Sequence, residues 1–422
     1  MLFNSPEFVF AFLPVTFTVY FLLAPRYYRA SRLWLLLASL FFYGWSNPSY
    51  LILIATSIIV NFLVAKNLPA DQARRKALFI TGIVFNLSLL GYFKYADFFI
   101  DNFNHLFGED FNLMHIILPL GISFFTFQQI GYLVDAYKGT VKEFNFLNYC
   151  LFVSFFPQLI SGPIVHHKEL MPQLLDKSRV WINYYNVAKG IFIFNMGLAK
   201  KIIIADTFGD IANNGYANYQ LLNLSQSWIT SFAYTVQLYF DFSGYSDMAI
   251  GIGLLFNIRL PVNFWSPHKS ENIQQFYRRW HITLSSFLRD YVYIPLGGNK
   301  RGEWMTNVNL FLTFLIGGLW HGANWTFVVW GGFNGLALVV HRLFQKTKII
   351  MPYILGVIIT FLFVMMIRIF FRASDFHVAT EVLKTMFAVH TTTADFTLLD
   401  SFYNAPLWLA GIILLFMPNS LQ

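Results

Sequence analysis

His321 is the residue of this 422-residue chain best placed to do chemistry. It stands in LTFLIGGLWHGANWTFVVWGGFNG, between two apolar runs, and ionisable groups at membrane depth are expensive and functional by default. An imidazole suits such a place better than a carboxylate or an ammonium. Its unperturbed pKa is about 6.5, so burial can keep it neutral and basic. In that form it can act as a general base towards a hydroxyl. Gly317, Gly318, Gly322 and Ala323 flank it, and such small residues let a substrate or a second backbone approach closely. Asn324 follows with a carboxamide able to orient a ring or bind an oxyanion. The competing reading is a structural histidine hydrogen-bonded between helices.

A second histidine, His281, lies 40 residues earlier in ENIQQFYRRWHITLSSFLRDYVYIPLGGNKRGEW. At about 100° per residue this stretch reads as one amphipathic helix ending near Pro295, with Asn272 as N-cap and Gly297-Gly298 just past the end. Phe276, Trp280, Leu284, Phe287 and Tyr291 share one face, and Arg278, His281, Ser285 and Arg289 lie near the opposite one. Two readings follow: an interfacial helix with a solvated cationic face, or a lining for the entrance of an anionic substrate such as a nucleotide-bearing acyl donor. A third cluster, VQLYFDFSGYSDMAIGIG, places Gln237, Asp241, Ser243, Tyr245, Ser246 and Asp247 in an apolar setting. Its carboxylates need partners such as Arg278, Arg289 or a histidine. It is either helix–helix glue or a polar wall along a tunnel, and a proton relay is a further reading.

Other chemistry finds no support. GxSxG, P-loop, GxGxxG, HExxH and HxxxD signatures are absent. His166-His167 lack a third ligand at helical spacing and read as loop residues, and the single cysteine, Cys150, reads as a buried small residue. One cysteine excludes an intramolecular disulfide and a cysteine-based zinc cluster.

The elements that must position these residues belong to a membrane protein. Hydrophobic residues make up 56% of the chain and charged residues 12%, against about 25% charged in an ordinary soluble domain. A surface so poor in charge cannot be solvated by water, so most of the exterior must face lipid. The 49 phenylalanines suit lipid-facing helices and interfacial belts. The net charge of +8 sits in short loops between apolar runs, the placement of topology signals rather than of a nucleic-acid surface. Apolar segments lie near 8–24, 33–45, 48–65, 77–95, 116–135, 147–164, 187–205, 228–256, 307–320, 324–345, 353–371 and 405–417. Because a span needs roughly 20 apolar residues, about ten or eleven true spans are expected, with re-entrant or half-depth helices where Pro119, Pro157 and Pro163 interrupt. The first apolar run has no basic leader and no cleavage site, and is read as retained. Arg26, Arg29 and Arg32 after it, and Lys66, Arg74, Arg75 and Lys76 further on, place those loops in the cytoplasm and the N-terminus outside. Without repeats or linkers, residues 1–422 read as one membrane domain, with 266–304 as a polar cytoplasmic interfacial segment.

The runs FYRRWHITLSSFLRDYVYIPLGGN and GGLWHGANWTFVVWGG resemble the membrane-bound O-acyltransferase (MBOAT) family, in its bacterial branch typified by the alginate O-acetylation membrane protein. GYFKYADFF at 91–99, LPLGISFFTFQQIGYLVDAYKG at 118–139, FFPQLISGPIV at 155–165 and QLYFDFSGYSDMAIGIG at 237–253 extend the resemblance over about residues 1–415. The resemblance implies an all-α polytopic fold, a ring of membrane helices around a thin centre with funnels from both faces. It makes His321 the counterpart of the family's essential histidine and His281 that of the second position. The chain departs at its end: it stops at MPNSLQ where relatives continue into one more hydrophobic segment, as a shortened or naturally short member would.

By resemblance the protein is an acyltransferase of the bacterial inner membrane, with no bound cofactor and with cytoplasmic acetyl-CoA as donor. Arg278, Arg279 and Arg289 would meet the donor's phosphates. His321 would activate the attacking hydroxyl or briefly hold the acyl group, and His281 would position the donor or stabilise developing charge. Asp241, Ser243, Tyr245, Asp247, Trp320 and Asn324 complete the expected substrate-binding set. The acceptor would be an extracytoplasmic serine-hydrolase-like partner that modifies a polysaccharide: alginate, cellulose, peptidoglycan or another exopolysaccharide. The alternatives are D-alanyl transfer to teichoic acid, a proton-coupled lipid or polysaccharide transporter, and a non-enzymatic scaffold.

Overall fold

A computed structural model describes residues 1–141, 144–387, 411, 413–414 and 419–421. Every regular element among them is a helix, as the apolar periodicity requires. In chain order they are α1 (Leu13–Leu23), α2 (Tyr28–Gly44), α3 (Ser49–Lys66), α4 (Gln72–Leu90), α5 (Ala96–Phe107), α6 (Ile122–Tyr137), α7 (Phe146–Ser154), α8 (Phe156–Leu159) and α9 (His167–Leu175). Then follow α10 (Tyr184–Ala199), α11 (Asp206–Ala217), α12 (Leu224–Leu255), α13 (Ile273–Arg279), α14 (Ile282–Leu288), α15 (Gly302–His321), α16 (Trp325–Lys346), α17 (Tyr353–Arg372) and α18 (Phe376–Met386). Among the described residues four helices are long and apolar enough to cross a membrane: Ser49–Lys66, Gln72–Phe107 (α4 and α5 joined through the helical turn Gly91–Tyr95), Trp325–Lys346 and Tyr353–Arg372. Phe8–Leu23 is a shorter apolar helix. The expected segment 405–417 lies almost wholly outside the described residues.

The chain divides into two compact units, Met1–Asn195 with Tyr245–Pro261, and Met196–Gly244 with Val262–Gln422. In the first, polar side chains tie helices where lipid offers no partner. The carboxamides of Asn61 in α3 and Asn86 in α4 bond each other reciprocally at 3.2 and 2.6 Å. Gln129 of α6 donates to Ser57 at 2.8 Å and accepts from Tyr149 of α7 at 3.1 Å. The apolar run 147–164 does not form one helix: Pro157 opens the short α8 after a break at Phe155. Residues 148–160 are buried throughout, and protein cover is the condition under which broken backbone persists at membrane depth. Arg32, expected as a topology charge, is itself buried and donates to Asn148 at 2.5 Å.

In the second unit α15 and α16 pack along a seam of glycines. A Cβ on Gly318 would lie 2.3 Å from the carbonyl oxygen of Phe327 and 2.9 Å from Cα of Gly331. That separation admits no side chain, so the two backbones come together as small-residue seams in membranes allow. The loop between them is three residues long, and Asn324 caps α16 by accepting from Thr326 N at 3.0 Å.

The stretch around His281 corrects the expectation of one amphipathic helix. α13 stops at Arg279, Trp280 is extended, and His281 adopts φ 44° and ψ 55° before α14 begins. Asn272 does cap α13, accepting from Gln275 N at 2.8 Å. The break divides the expected helix in two, while Phe276, Trp280, Leu284 and Phe287, expected to share the apolar face, are all buried. His281 is 2% exposed and does not sit on a solvated face.

Candidate active site

α13–α16 and the loop before α15 enclose a cavity of about 670 Å³, lined by both His281 and His321. His321 is the last residue of α15, where the chain leaves the helix through an extended Gly322. Its ring is held by three aromatic neighbours: Trp320, Trp330 and Phe371 have ring centroids 5.0, 5.2 and 5.1 Å away. Trp330 and Phe371 meet it at 87° and 70°, so the imidazole is boxed by ring faces and edges.

His281 is fixed by hydrogen bonding. Asn263 Oδ1 accepts from Thr283 N at 3.2 Å and from Thr283 Oγ1 at 3.0 Å, and His281 Nδ1 lies 3.1 Å from it. An oxygen already accepting from a backbone N–H can only accept from the ring, so Nδ1 carries the proton and Nε2 keeps a lone pair. The assignment of oxygen and nitrogen in the carboxamide follows from the Thr283 N–H. Asn263 O also accepts from Ile282 N at 3.0 Å, so one residue stabilises the left-handed turn from both its backbone and its side chain. A non-glycine residue held at φ 44° costs about 1–3 kcal/mol and persists where its surroundings over-determine it. Burial, and then the nearby His321, hold the His281 imidazole well below its ordinary range. It is therefore neutral at physiological pH and ready to accept a hydrogen bond through Nε2. Phe242 of α12 packs edge-on against its ring at 4.7 Å.

Three arginines border the same cavity: Arg278 on α13, Arg289 after α14, and Arg342 on α16. Arg289 already makes a fork to Asp290, at 2.8 and 3.1 Å. Arg278 is exposed at the surface of α13. Tyr293 and Asn299, hydrogen-bonded to each other, complete part of the wall. Asn309 of α15 anchors the Gly297-Gly298 turn by donating to Gly298 O at 3.0 Å.

Residues 138–374 match the MBOAT, membrane-bound O-acyltransferase family. The chain is 51% identical over 421 residues to a peptidoglycan O-acetyltransferase of Helicobacter pylori, covering 92% of this chain and 80% of that protein. The chain belongs to the MBOAT family. It is 42% identical over 402 residues to a probable alginate O-acetylase of Pseudomonas aeruginosa, covering 93% of this chain and 76% of the relative. A teichoic acid D-alanyltransferase of Bacillus subtilis is 29% identical over 292 residues, covering 62% and 71%. This MBOAT protein is thus an acyltransferase with an all-α, polytopic membrane fold.

The MBOAT site takes up the residues singled out from sequence unevenly. His281, His321, Arg278 and Arg289 come together on one cavity. Arg279 is not among its lining; its carbonyl accepts from Trp265 N at 2.9 Å and braces the end of α13. Trp320 meets the His321 ring edge-on at 70° but does not line the cavity. Asn324 is spent on capping α16 and on a bond to Ser374 O at 2.8 Å, which corrects the expectation that it orients a ring or an oxyanion.

The DFSGYSD run is divided between the units. Asp241 pairs with Lys201 at 2.7 Å, not with Arg278, Arg289 or a histidine, and Lys201 also reaches Asp206 at 2.9 Å. Ser243 is buried with no hydrogen-bond partner for Oγ among the described residues. Both stand outside the cavity lining. In the other unit Tyr245 stacks on Phe3 with ring centroids 4.7 Å apart, and Asp247 is buried. His167 there lies 3.4 Å from Asp135, and no group of three metal-ligating residues occurs among the described residues.

Sequence reasoning missed Asn263, Phe242, Trp330 and Arg342. Arg342 carried a signal, a cation near the end of an apolar helix. Asn263 carried none, since its role depends on the turn at His281.

Proposed function

We propose that the chain is an O-acetyltransferase that moves acetyl groups from cytoplasmic acetyl-CoA to an extracytoplasmic polysaccharide, directly or through a serine-hydrolase-like partner. The observation that carries this reading is the single cavity shared by His281, His321 and three arginines. Arginine forks suit the diphosphate and 3′-phosphate of a CoA-type donor. Arg278 and Arg342 offer their charges, while Arg289 would exchange Asp290 for phosphate.

In the chemical step His321 takes the proton of the acceptor hydroxyl as its oxygen attacks the thioester carbonyl. The tetrahedral intermediate collapses, the C–S bond breaks, and the imidazolium returns the proton to the departing thiolate. An ester and free CoA thiol result, with no net proton consumed. His281, neutral and accepting through Nε2, positions a donor amide N–H or the acceptor hydroxyl. Of the two roles expected for it, its tautomer supports positioning over stabilisation of negative charge.

The relatives support a polysaccharide acceptor. The higher identity to the peptidoglycan enzyme makes peptidoglycan the first polysaccharide to test, with alginate-like exopolysaccharide the second. The teichoic acid relative supports a second reading, D-alanyl transfer from a carrier-protein thioester. The site would then sit in the bacterial inner membrane with the arginine side cytoplasmic and the N-terminus outside.

The test compares the parent chain with His321→Ala in membranes at matched protein levels, using acetyl-CoA labelled on the acetyl group. Label should appear in the polysaccharide fraction with the parent and fall by at least about 100-fold in the variant. Equal transfer by both would remove His321 from the chemistry and favour transport or scaffolding. Transfer from a D-alanyl carrier protein but not from acetyl-CoA would select the second reading.

A further inference from the structure

Arg368 sits inside the apolar run FLFVMMIRIFF of α17 and is 3% exposed. A buried charge normally has a carboxylate partner, yet no ion pair to Arg368 occurs among the described residues. Its guanidinium lies over the ring of Trp280, 4.4 Å from the centroid, and 5.8 Å from that of Phe276. Trp280 and Phe276 stack at 5.6 Å and 14°, so the cation caps a two-ring pile. Nη1 donates to His268 Nε2 at 3.1 Å and to Thr235 O at 3.4 Å. Because guanidinium has no acceptor, His268 must present a lone pair at Nε2. His268 in turn meets Trp280 and Phe276 at near-perpendicular angles. Nη2 has no hydrogen-bond partner among the described residues, so stacking carries much of the stabilisation of this charge.

Trp280 is the residue that ends α13 and directly precedes His281. The left-handed turn at His281 is thus held on one side by Asn263 and on the other by a tryptophan pinned under Arg368. A side chain with no such neighbour could follow the helix through, which is what the periodicity of the sequence favours.

We propose that Arg368 is a positioning residue for acyl transfer: stacked on Trp280, it holds the break between α13 and α14 that sets His281 in the cavity. The proposal rests on the reading that His281 serves the reaction. Arg368 touches no reacting atom; it acts through Trp280. A cation over an indole face in a desolvated site is among the stronger cation–π arrangements, and a misplacement of about 1 Å caused far from the chemistry can cost about a hundredfold in rate.

The test measures kcat and KM with labelled acetyl-CoA for the full chain carrying Arg368→Met, Arg368→Lys, His281→Asn, and Arg368→Met with His281→Asn. Arg368→Met should lower kcat by about ten- to a hundredfold with KM for acetyl-CoA within about twofold. Arg368→Lys should recover part of the loss, since an ammonium keeps the charge over Trp280. On the His281→Asn background, Arg368→Met should cost less than about twofold, because residues acting as one unit are non-additive. An equal loss on both backgrounds, or no loss in Arg368→Met, overturns the positioning role. Normal activity in His281→Asn would instead remove the reading on which it rests. If Arg368→Met does not accumulate as folded protein, Arg368→Lys and Trp280→Phe are judged on the two backgrounds by the same criterion.

Discussion

Asn263 Oδ1 sits 3.1 Å from His281 Nδ1 and closes a four-donor arrangement around one asparagine: two donors from Thr283, one from Ile282 and one from the ring. It sets the tautomer of His281, and with it the direction in which the ring can act. Replacing Asn263 by Asp keeps the acceptor and adds a negative charge. An opposite charge at this distance raises an imidazole pKa by about 1–3 units. The acid limb of the pH–rate profile should therefore move to higher pH in Asn263→Asp, while Asn263→Leu should lose rate across the whole range. An unmoved limb in the Asp variant would show that His281 does not titrate in the reaction.

Arg278 and Arg342 reach the cavity from different helices, and among the described residues neither has a carboxylate fork like that of Arg289. Each charge-assisted bond to phosphate is worth about 1.5–3 kcal/mol. Arg278→Ala and Arg342→Ala should each raise KM for acetyl-CoA by about tenfold or more with kcat little changed. Arg279→Ala should leave KM nearly unaltered. Steady-state kinetics on the three variants, repeated at two salt concentrations, checks the assignment.

Gly318 leaves no room for a methyl group, since its Cβ would come within 2.3 Å of Phe327 O. The obstacle is backbone rather than a flexible side chain, so α15 and α16 must separate. Gly318→Ala should destabilise the protein by about 1–3 kcal/mol, read as a lower Tm in detergent. It should also displace His321, three residues on, so activity should fall more than stability does.

His268 and His281 are buried and held neutral, His268 by burial and then by Arg368, and His281 by burial and then by His321. Their folded pKa values are depressed below those of the unfolded chain. Protons therefore bind the unfolded state more readily as pH falls through about 6.5. Thermal stability should be fully present above that pH and decline below it. His281→Asn should flatten the acid decline; a Tm independent of pH between 5 and 7 would contradict the neutral assignment.

The lipid-facing helices were legible because composition alone forbids a water-facing exterior, and long runs such as 325–346 and 353–372 are set by local apolarity. His321 was legible for a related reason: an ionisable side chain in an apolar run stands out against its neighbours. The turn at His281 was not. Its flanks keep a helical apolar period, and what breaks the helix is Asn263, 18 residues earlier, together with the stacking of Arg368 from α17.

From its amino acids alone the protein was an all-helical membrane protein with His321 and His281 as its reactive candidates, because hydropathy and residue spacing are properties of neighbours along the chain; acyl transfer was implied by the resemblance to the MBOAT family. Tertiary structure decided which polar groups meet. It brought Arg342 to the cavity, paired Asp241 with Lys201, spent Asn324 on a helix cap, and gave His281 its tautomer. Those outcomes depend on contacts between residues far apart in sequence, where hydrogen-bond geometry and steric fit, rather than local pattern, choose the partner.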